Sequence, residues 1–149
     1  MIDIQIASRL ASIPDERAFK SWLLAVLPRS AELTLRVVNA AEARNLNSAF
    51  CGKDHGTNVL TFVYHEKKSP VLRGDIVLCA PIVAREAREQ GKTLSAHYAH
   101  LTVHGALHLA GMDHEYERAA AAMEKKEAAI LARFGVTNPY SSAADPTAF

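Results

Sequence analysis

Three histidines in a short apolar run constrain the fold of this chain more than any other feature of its sequence. They are His104, His108 and His114, in the stretch VHGALHLAGMDHE that covers residues 103–115. On a helix, His104 and His108 project from one face, one turn apart. Gly111 predicts the end of that helix, since glycine readily adopts the left-handed conformation there, and the next few residues can return His114 to the same face. We therefore expect the histidine helix to be a central element of the fold.

Histidines in this arrangement have two interpretations, packed core side chains or ligands of a metal. Core histidines would each need a separate hydrogen-bond partner, because buried polar groups are almost always satisfied. A shared metal ion serves all three rings at once, and we favour it. Zinc held by three histidine nitrogens at about 2.0–2.1 Å keeps its fourth position for water, as in catalytic sites. The pattern thus predicts one Zn²⁺ per chain, bound by His104, His108 and His114.

The segment HGALH is similar to the HExxH zinc helix, which would make the fold zincin-like. Gly105 stands where a metalloprotease carries its glutamate base. The missing carboxylate argues against peptidase chemistry, so the group that activates the attacking water is the metal itself or a residue elsewhere in the chain.

Composition and charge are those of an ordinary globular protein. The chain has 149 residues, 49% apolar and 22% charged, enough for one domain with its own core. It has no apolar run near the ~18 residues of a membrane span and no secretory signal, so a cytoplasmic location is expected. Cys51 and Cys79 form no CxxC pair and are expected to be reduced thiols. A net charge of +1 means that RNA binding would need a local positive groove.

Hydrophobic periodicity predicts a single α+β domain, a mixed four-stranded sheet packed with about five helices around the metal-bearing one. Alternating and β-branched segments predict strands at residues 2–8, 31–40, 57–65 and 74–80. Start and stop signals predict helices at residues 14–28, 41–50, 81–91, 94–111 and 115–135. The domain is expected to cover residues 1–140, followed by a loosely held tail over residues 141–149.

The histidine motif and the blocks around it resemble the YbeY family. HGALHLAGMDH is similar to that family's HGxLHLxGYDH signature, GKDHGTNVLTF to its GKDxxTNVLSF block and GDIVL to its GD[IL]VI strand. The resemblance covers nearly the whole chain from about Leu33 to Tyr140. It implies a zinc-dependent endoribonuclease, specific for single strands, that matures the 3′ end of 16S rRNA and acts in ribosome quality control. The implied partners are single-stranded rRNA and the small ribosomal subunit, with its proteins or assembly factors.

Carried over position by position, the resemblance implies that His104, His108 and His114 are the zinc ligands. Met112 replaces the family's tyrosine in the turn, which should not affect coordination. Asp113 matches the aspartate beside the third ligand. It either orients a ligand ring as a hydrogen-bond acceptor or caps the final helix.

One departure from the family pattern concerns the substrate groove. Family members commonly carry an arginine before GKD, whereas this chain has Cys51, which offers no forked, permanently charged donor to a phosphate. Either Arg44, Lys53 or Arg73 supplies the charge, or the nuclease is weaker than its relatives. Lys53 is equally compatible with a solvated loop. Cys51 itself is a buried or groove-lining thiol in one interpretation, and a fourth ligand that closes the zinc site in another.

His97 and His100 extend the stripe of histidines toward the start of the helix. His100 is a candidate proton shuttle or phosphate contact one turn from the metal. The alternative, which we favour, is a hydrogen-bonded histidine on a partly buried face. The alternating charges of residues 115–127 predict a solvated helix face.

The favoured function is metal-assisted cleavage of single-stranded rRNA, in which zinc lowers the pKa of its bound water toward about 7. The attack comes from that water or from the ribose 2′-hydroxyl, with His100 and Asp113 as candidate helpers. A non-catalytic ribosome assembly factor that binds rRNA or a ribosomal protein, with a structural zinc, is the alternative that Cys51 favours. A metal-dependent hydrolase of another ester or amide is a third interpretation.

Overall fold

The elements of the fold match the predicted order of strands and helices. The computed structural model describes residues 1–42, 45, 58–66, 69–111, 117–137 and 139 of the chain. Its strands are β1 (Ile2–Ile6), β2 (Glu32–Val38), β3 (Val59–Val63) and β4 (Arg73–Cys79). Its helices are α1 (Glu16–Leu24), α2 (Ala80–Glu89), α3 (Leu94–Leu109) and α4 (Glu117–Ala132). Residues 40–42 and 45 are also helical, and the rest of the helix predicted at 41–50 lies outside the described residues, as does the predicted tail.

The four strands form one mixed sheet in the order β1-β2-β4-β3. β2 pairs in parallel with β1 and with β4, whereas β3 pairs antiparallel with β4. The predicted α+β fold with a mixed four-stranded sheet is therefore confirmed.

One glycine of β4 lets the end of α3 approach the sheet closely. A Cβ atom on Gly74 would lie 2.3 Å from Cδ1 of Leu109 and 2.3 Å from the carbonyl oxygen of Phe62. Any larger residue would therefore have to displace both the helix side chain and the backbone of β3.

Helix α3 begins and ends at residues that suit those positions. The Thr93 hydroxyl accepts the backbone N–H of Ala96 at 3.1 Å, which caps the first turn. After Leu109 the backbone of Ala110 closes the last turn, and Gly111 follows with φ +101°. A side chain is strained at such a φ, so the predicted glycine stop is confirmed.

The core surrounds α3, which contacts α1, α2, α4, β3 and β4. Phe19 of α1 packs edge-to-face on Tyr98 of α3, with ring centroids 5.7 Å apart. Cys79 is a buried free thiol, as expected, and Cys51 lies outside the described residues. Across the described part of the chain, no helix is long and apolar enough to cross a membrane.

Candidate metal centre

The solvent-accessible line of α3 consists of histidines. From His97 to Leu109 every residue of the helix is buried except His100, His104 and His108. The His104 side chain is 25% exposed and that of His100 is 14% exposed. Because these residues are spaced by four, they lie on one face. A ligand from solvent therefore meets imidazole rings where it reaches this part of the central helix.

A buried carboxylate from α4 contacts two of these rings. Glu127 is 0% exposed, and its Oε1 accepts a hydrogen bond from Nδ1–H of His104. Its Oε2 lies 3.4 Å from Nε2 of His100. The ring centroids of His100 and His104 are 6.3 Å apart. One carboxylate thus ties α4 to two successive turns of the histidine line.

The prediction of a solvated face over residues 115–127 is wrong at its last residue. Lys125 and Lys126 are exposed, but Glu127 is buried among the apolar positions of α4 that face α3. Those positions follow helical spacing: Met123, Glu127, Ile130 and Leu131. This spacing was the available signal for Glu127, because a charged residue inside an apolar stripe points to the core. The alternating charges of the same segment predicted a solvated face instead, and they include Glu127.

His97, which also belongs to the predicted stripe, is buried and contacts a carboxylate of another helix. Its side chain is 3% exposed, and its Nε2–H donates to Oε1 of Glu86 in α2 at 2.9 Å. The Asn58 amide donates to the same oxygen at 3.0 Å. Burial lowers the pKa of His97 and outweighs the raising effect of Glu86. A neutral His97 therefore joins α3 to α2 and to the residue that precedes β3.

Gly105 lies on the sheet side of α3, away from the histidine line. A Cβ atom there would be 3.3 Å from Oγ1 of Thr61 and 3.3 Å from two side-chain carbons of Ile76. These contacts leave no room for a glutamate. The difference from HExxH thus has a packing reason: in this fold the second position of the motif faces β3 and β4.

The predicted ligands are only partly within the described residues. His104 and His108 lie on one face of α3, whereas Met112, Asp113 and His114 fall in the undescribed stretch that follows. Among the residues that the structure describes, no group of three His, Cys, Asp or Glu side chains could hold a metal ion. The donor chemistry of His104 nevertheless fits a metal. A neutral imidazole that donates Nδ1–H to a carboxylate binds a metal through Nε2.

Of the predicted groove cations, only Arg73 lies within the described residues; Arg44 and Lys53 do not, and neither does Cys51. The Arg73 side chain is 56% exposed and forms an ion pair with Glu32, Nε to Oε1 3.0 Å. Such an exposed pair is weak and compatible with exchange to a phosphate.

Sequence reasoning missed a second cation. Lys92 lines a cleft of about 460 Å³ together with His100, between the α2–α3 connection and the segment after α4. No local pattern marks Lys92, because the cleft forms only where these distant segments meet. Lys92 brings a positive charge to the space beside the histidine line.

Comparisons with known proteins agree on one family. The family model described as Endoribonuclease YbeY matches residues 5–135. A protein of that name from Thiobacillus denitrificans is 51% identical over 139 residues, which cover 93% of this chain and 95% of the relative. One from Aromatoleum aromaticum is 53% identical over 135 residues, covering 91% and 86%. A solution structure of a Thermotoga maritima protein has a TM-score of 0.54 at 24% identity, over 95% of this chain and 99% of that one, which shows a common fold.

Proposed function

We propose that this chain, a member of the YbeY family of endoribonucleases, cleaves single-stranded rRNA. Membership of the family makes it a nuclease that acts on RNA phosphodiester bonds. The proposed metal is bound at the histidine line of α3, which consists of His100, His104 and His108. We further propose a cytoplasmic role in maturing the 3′ end of 16S rRNA and in ribosome quality control, with the small subunit and its proteins or assembly factors as partners. One observation carries the metal-site proposal. From His97 to Leu109, the residues of the central helix that are not buried are histidines.

In this proposal, His104, His108 and His114 would hold one zinc ion. When bound, zinc would supply Lewis-acid polarisation of the scissile phosphate and acidify a water molecule. Glu127 keeps the proton of His104 on Nδ1. His100, beside the same carboxylate, and Asp113 are the candidate groups for holding or moving a proton.

In the same proposal, positively charged side chains near the histidine line bind the phosphates of the RNA backbone. Lys92 lies in the cleft that His100 also lines, where an ammonium group can contact a phosphate as a point charge. Arg73, Arg44 and Lys53 remain the candidates from the sequence. Lys92→Ala should therefore weaken the binding of single-stranded RNA more than the cleavage of bound RNA.

The decisive experiment combines a metal assay with a cleavage assay. Purified protein should contain one metal ion per chain and cut an end-labelled single-stranded RNA but not the matched duplex. Chelation should abolish cutting and zinc should restore it. His104→Ala and His108→Ala should lose metal and activity, whereas His65→Ala, a histidine outside the line, should keep both. Zinc-loaded protein that cuts no single-stranded RNA with any divalent metal would overturn the nuclease proposal. Binding of that protein to small subunits would then support the assembly-factor alternative.

A further inference from the structure

We infer that Glu127 is a positioning residue for the proposed metal site. Its buried carboxylate fixes the tautomer and orientation of the His104 ring and includes His100 in the same network. The inference rests on the proposed function, because it concerns how a ligand side chain is presented to the metal.

The direction of the contact with Glu127 determines which nitrogen of His104 carries the proton. Oε1 of Glu127 meets Nδ1 of His104, and a carboxylate only accepts hydrogen bonds. The His104 proton is therefore on Nδ1, and the lone pair is on Nε2. An acceptor on the far nitrogen also makes the imidazole a more basic ligand.

Burying the carboxylate of Glu127 costs free energy unless its oxygens have partners. Glu127 occupies a core position of α4, between Met123 and Ile130, and is 0% exposed. An apolar side chain would fill this place without losing hydration, whereas a carboxylate needs partners inside the protein. His104 and His100 contact its two oxygens separately. Packing alone gives no reason for an acid here, but the orientation of a ligand histidine does.

His100 belongs to the same network of side chains as Glu127 and His104. Its Nε2 faces Oε2 of Glu127 at 3.4 Å, so the ring helps to hold the carboxylate in place. His100, which is also a candidate for holding or moving a proton, therefore supports Glu127 and His104. Replacing His100 should weaken metal binding less than replacing Glu127, since His100 acts through the carboxylate.

The tautomer can be measured without any metal. Nitrogen NMR of ¹⁵N-histidine-labelled, metal-free protein, with His104 assigned by its loss in His104→Asn, should show Nδ1 protonated and Nε2 unprotonated. Glu127→Met, which has similar size and no acceptor oxygen, should shift His104 toward the other tautomer. Glu124→Met, on the same helix, should leave the His104 signals unchanged. Unchanged His104 signals in Glu127→Met would overturn the inference.

Zinc affinity gives a second readout. The dissociation constant should rise about ten- to a hundredfold in Glu127→Met and less in Glu127→Gln, which keeps one acceptor oxygen. It should stay at the wild-type value in Glu124→Met. Circular dichroism of the metal-free variants checks folding, and if Glu127→Met does not fold, both readouts are taken on Glu127→Gln. Wild-type affinity in a folded Glu127 variant would overturn the inference and leave the proposed function intact. Wild-type protein that binds no metal would overturn both.

Discussion

Gly105 shows how the surroundings of one residue decide what the motif around it can do. In HExxH the second residue is the catalytic base, but in this chain the same position faces Thr61 and Ile76 across a gap that only glycine fits without displacement. Position 105 therefore supplies no catalytic base in this chain.

Restoring the HExxH pattern with Gly105→Glu should destabilise the protein rather than create a peptidase. The new side chain would overpack α3 against the sheet and bury a charge, lowering the free energy of unfolding by about 3 kcal/mol or more. Urea denaturation measures this. Gly105→Ala is the matched control and should change little, since the helical preference of alanine, about 1 kcal/mol, opposes contacts of 3.3 Å. A stable Gly105→Glu variant would contradict this account of the packing.

Cys51 stands where the sequence resemblance implies an arginine in the family. If that arginine stabilises charge on the phosphate, Cys51→Arg should raise single-stranded RNA cleavage. One well-placed cation can contribute a few kcal/mol, on the order of a hundredfold in rate. Single-turnover cleavage measures the change, with Cys51→Ala as the control for loss of the thiol. If Arg44 or Arg73 already serves this role, Cys51→Arg changes little, and Arg44→Ala or Arg73→Ala slows the reaction.

At the scale of elements, two acid–histidine contacts join α3 to its neighbouring helices. Glu86 of α2 accepts from His97, and Glu127 of α4 accepts from His104. Both carboxylates contact a helix whose buried face packs mainly against apolar side chains, so each contact specifies how its helix docks. They differ in solvent exposure: the His97 side chain is almost fully buried, whereas His104 belongs to the solvent-accessible line of histidines.

The burial of His97 predicts a pH dependence of stability. Burial holds the pKa of His97 in the folded protein below its ordinary value, which is about 6.5 in an unfolded chain. On acidification the unfolded state binds a proton first. The folded state therefore loses stability as pH falls through about 6.5, until the lower folded pKa is reached. Urea denaturation of metal-free protein at several pH values from about 7.5 to 5 should show this loss, and His97→Gln should show less of it. If wild-type protein and His97→Gln lose the same stability on acidification, His97 is not the source of the pH dependence.

At the scale of the whole molecule, the largest cluster of buried residues consists of apolar side chains. Phe19, Leu35, Ile76, Tyr98 and Leu131 are all buried in one continuous apolar cluster that joins the sheet to α1, α3 and α4. The histidine line borders this cluster and is not its centre. We therefore expect folding without metal and a modest gain in stability with it.

Removing the metal should lower the melting temperature without unfolding the protein. A ligand at about a hundred times its dissociation constant stabilises the native state by about 2.7 kcal/mol. For a chain of this size that corresponds to a shift of roughly 5–10 °C. Calorimetry with and without chelator measures the shift, and His108→Ala should abolish it. Complete unfolding on chelation would instead mark a structural zinc site and support the assembly-factor alternative.

Several features of the fold and site were determined by the sequence alone, because their signals are local. Periodicity of two or 3.6 residues predicted all four strands and the four helices that the structure describes from end to end. Gly111 predicted the end of α3 from its own conformational freedom. The spacing of His104 and His108 placed both rings on one face, and the motifs around them identified the family that the comparisons confirm.

Other features were decided only by the tertiary structure. The order β1-β2-β4-β3 joins segments far apart in the chain, and strand periodicity carries no information about which neighbour a strand takes. Atoms of other elements leave little space for a side chain at Gly105 and none at Gly74, and only the packed structure shows this. Glu127 contacts a histidine 23 residues away, and its local charge pattern predicted the opposite face. The apolar spacing around Glu127 could have indicated its burial, but which histidine it contacts is decided only when the two helices pack.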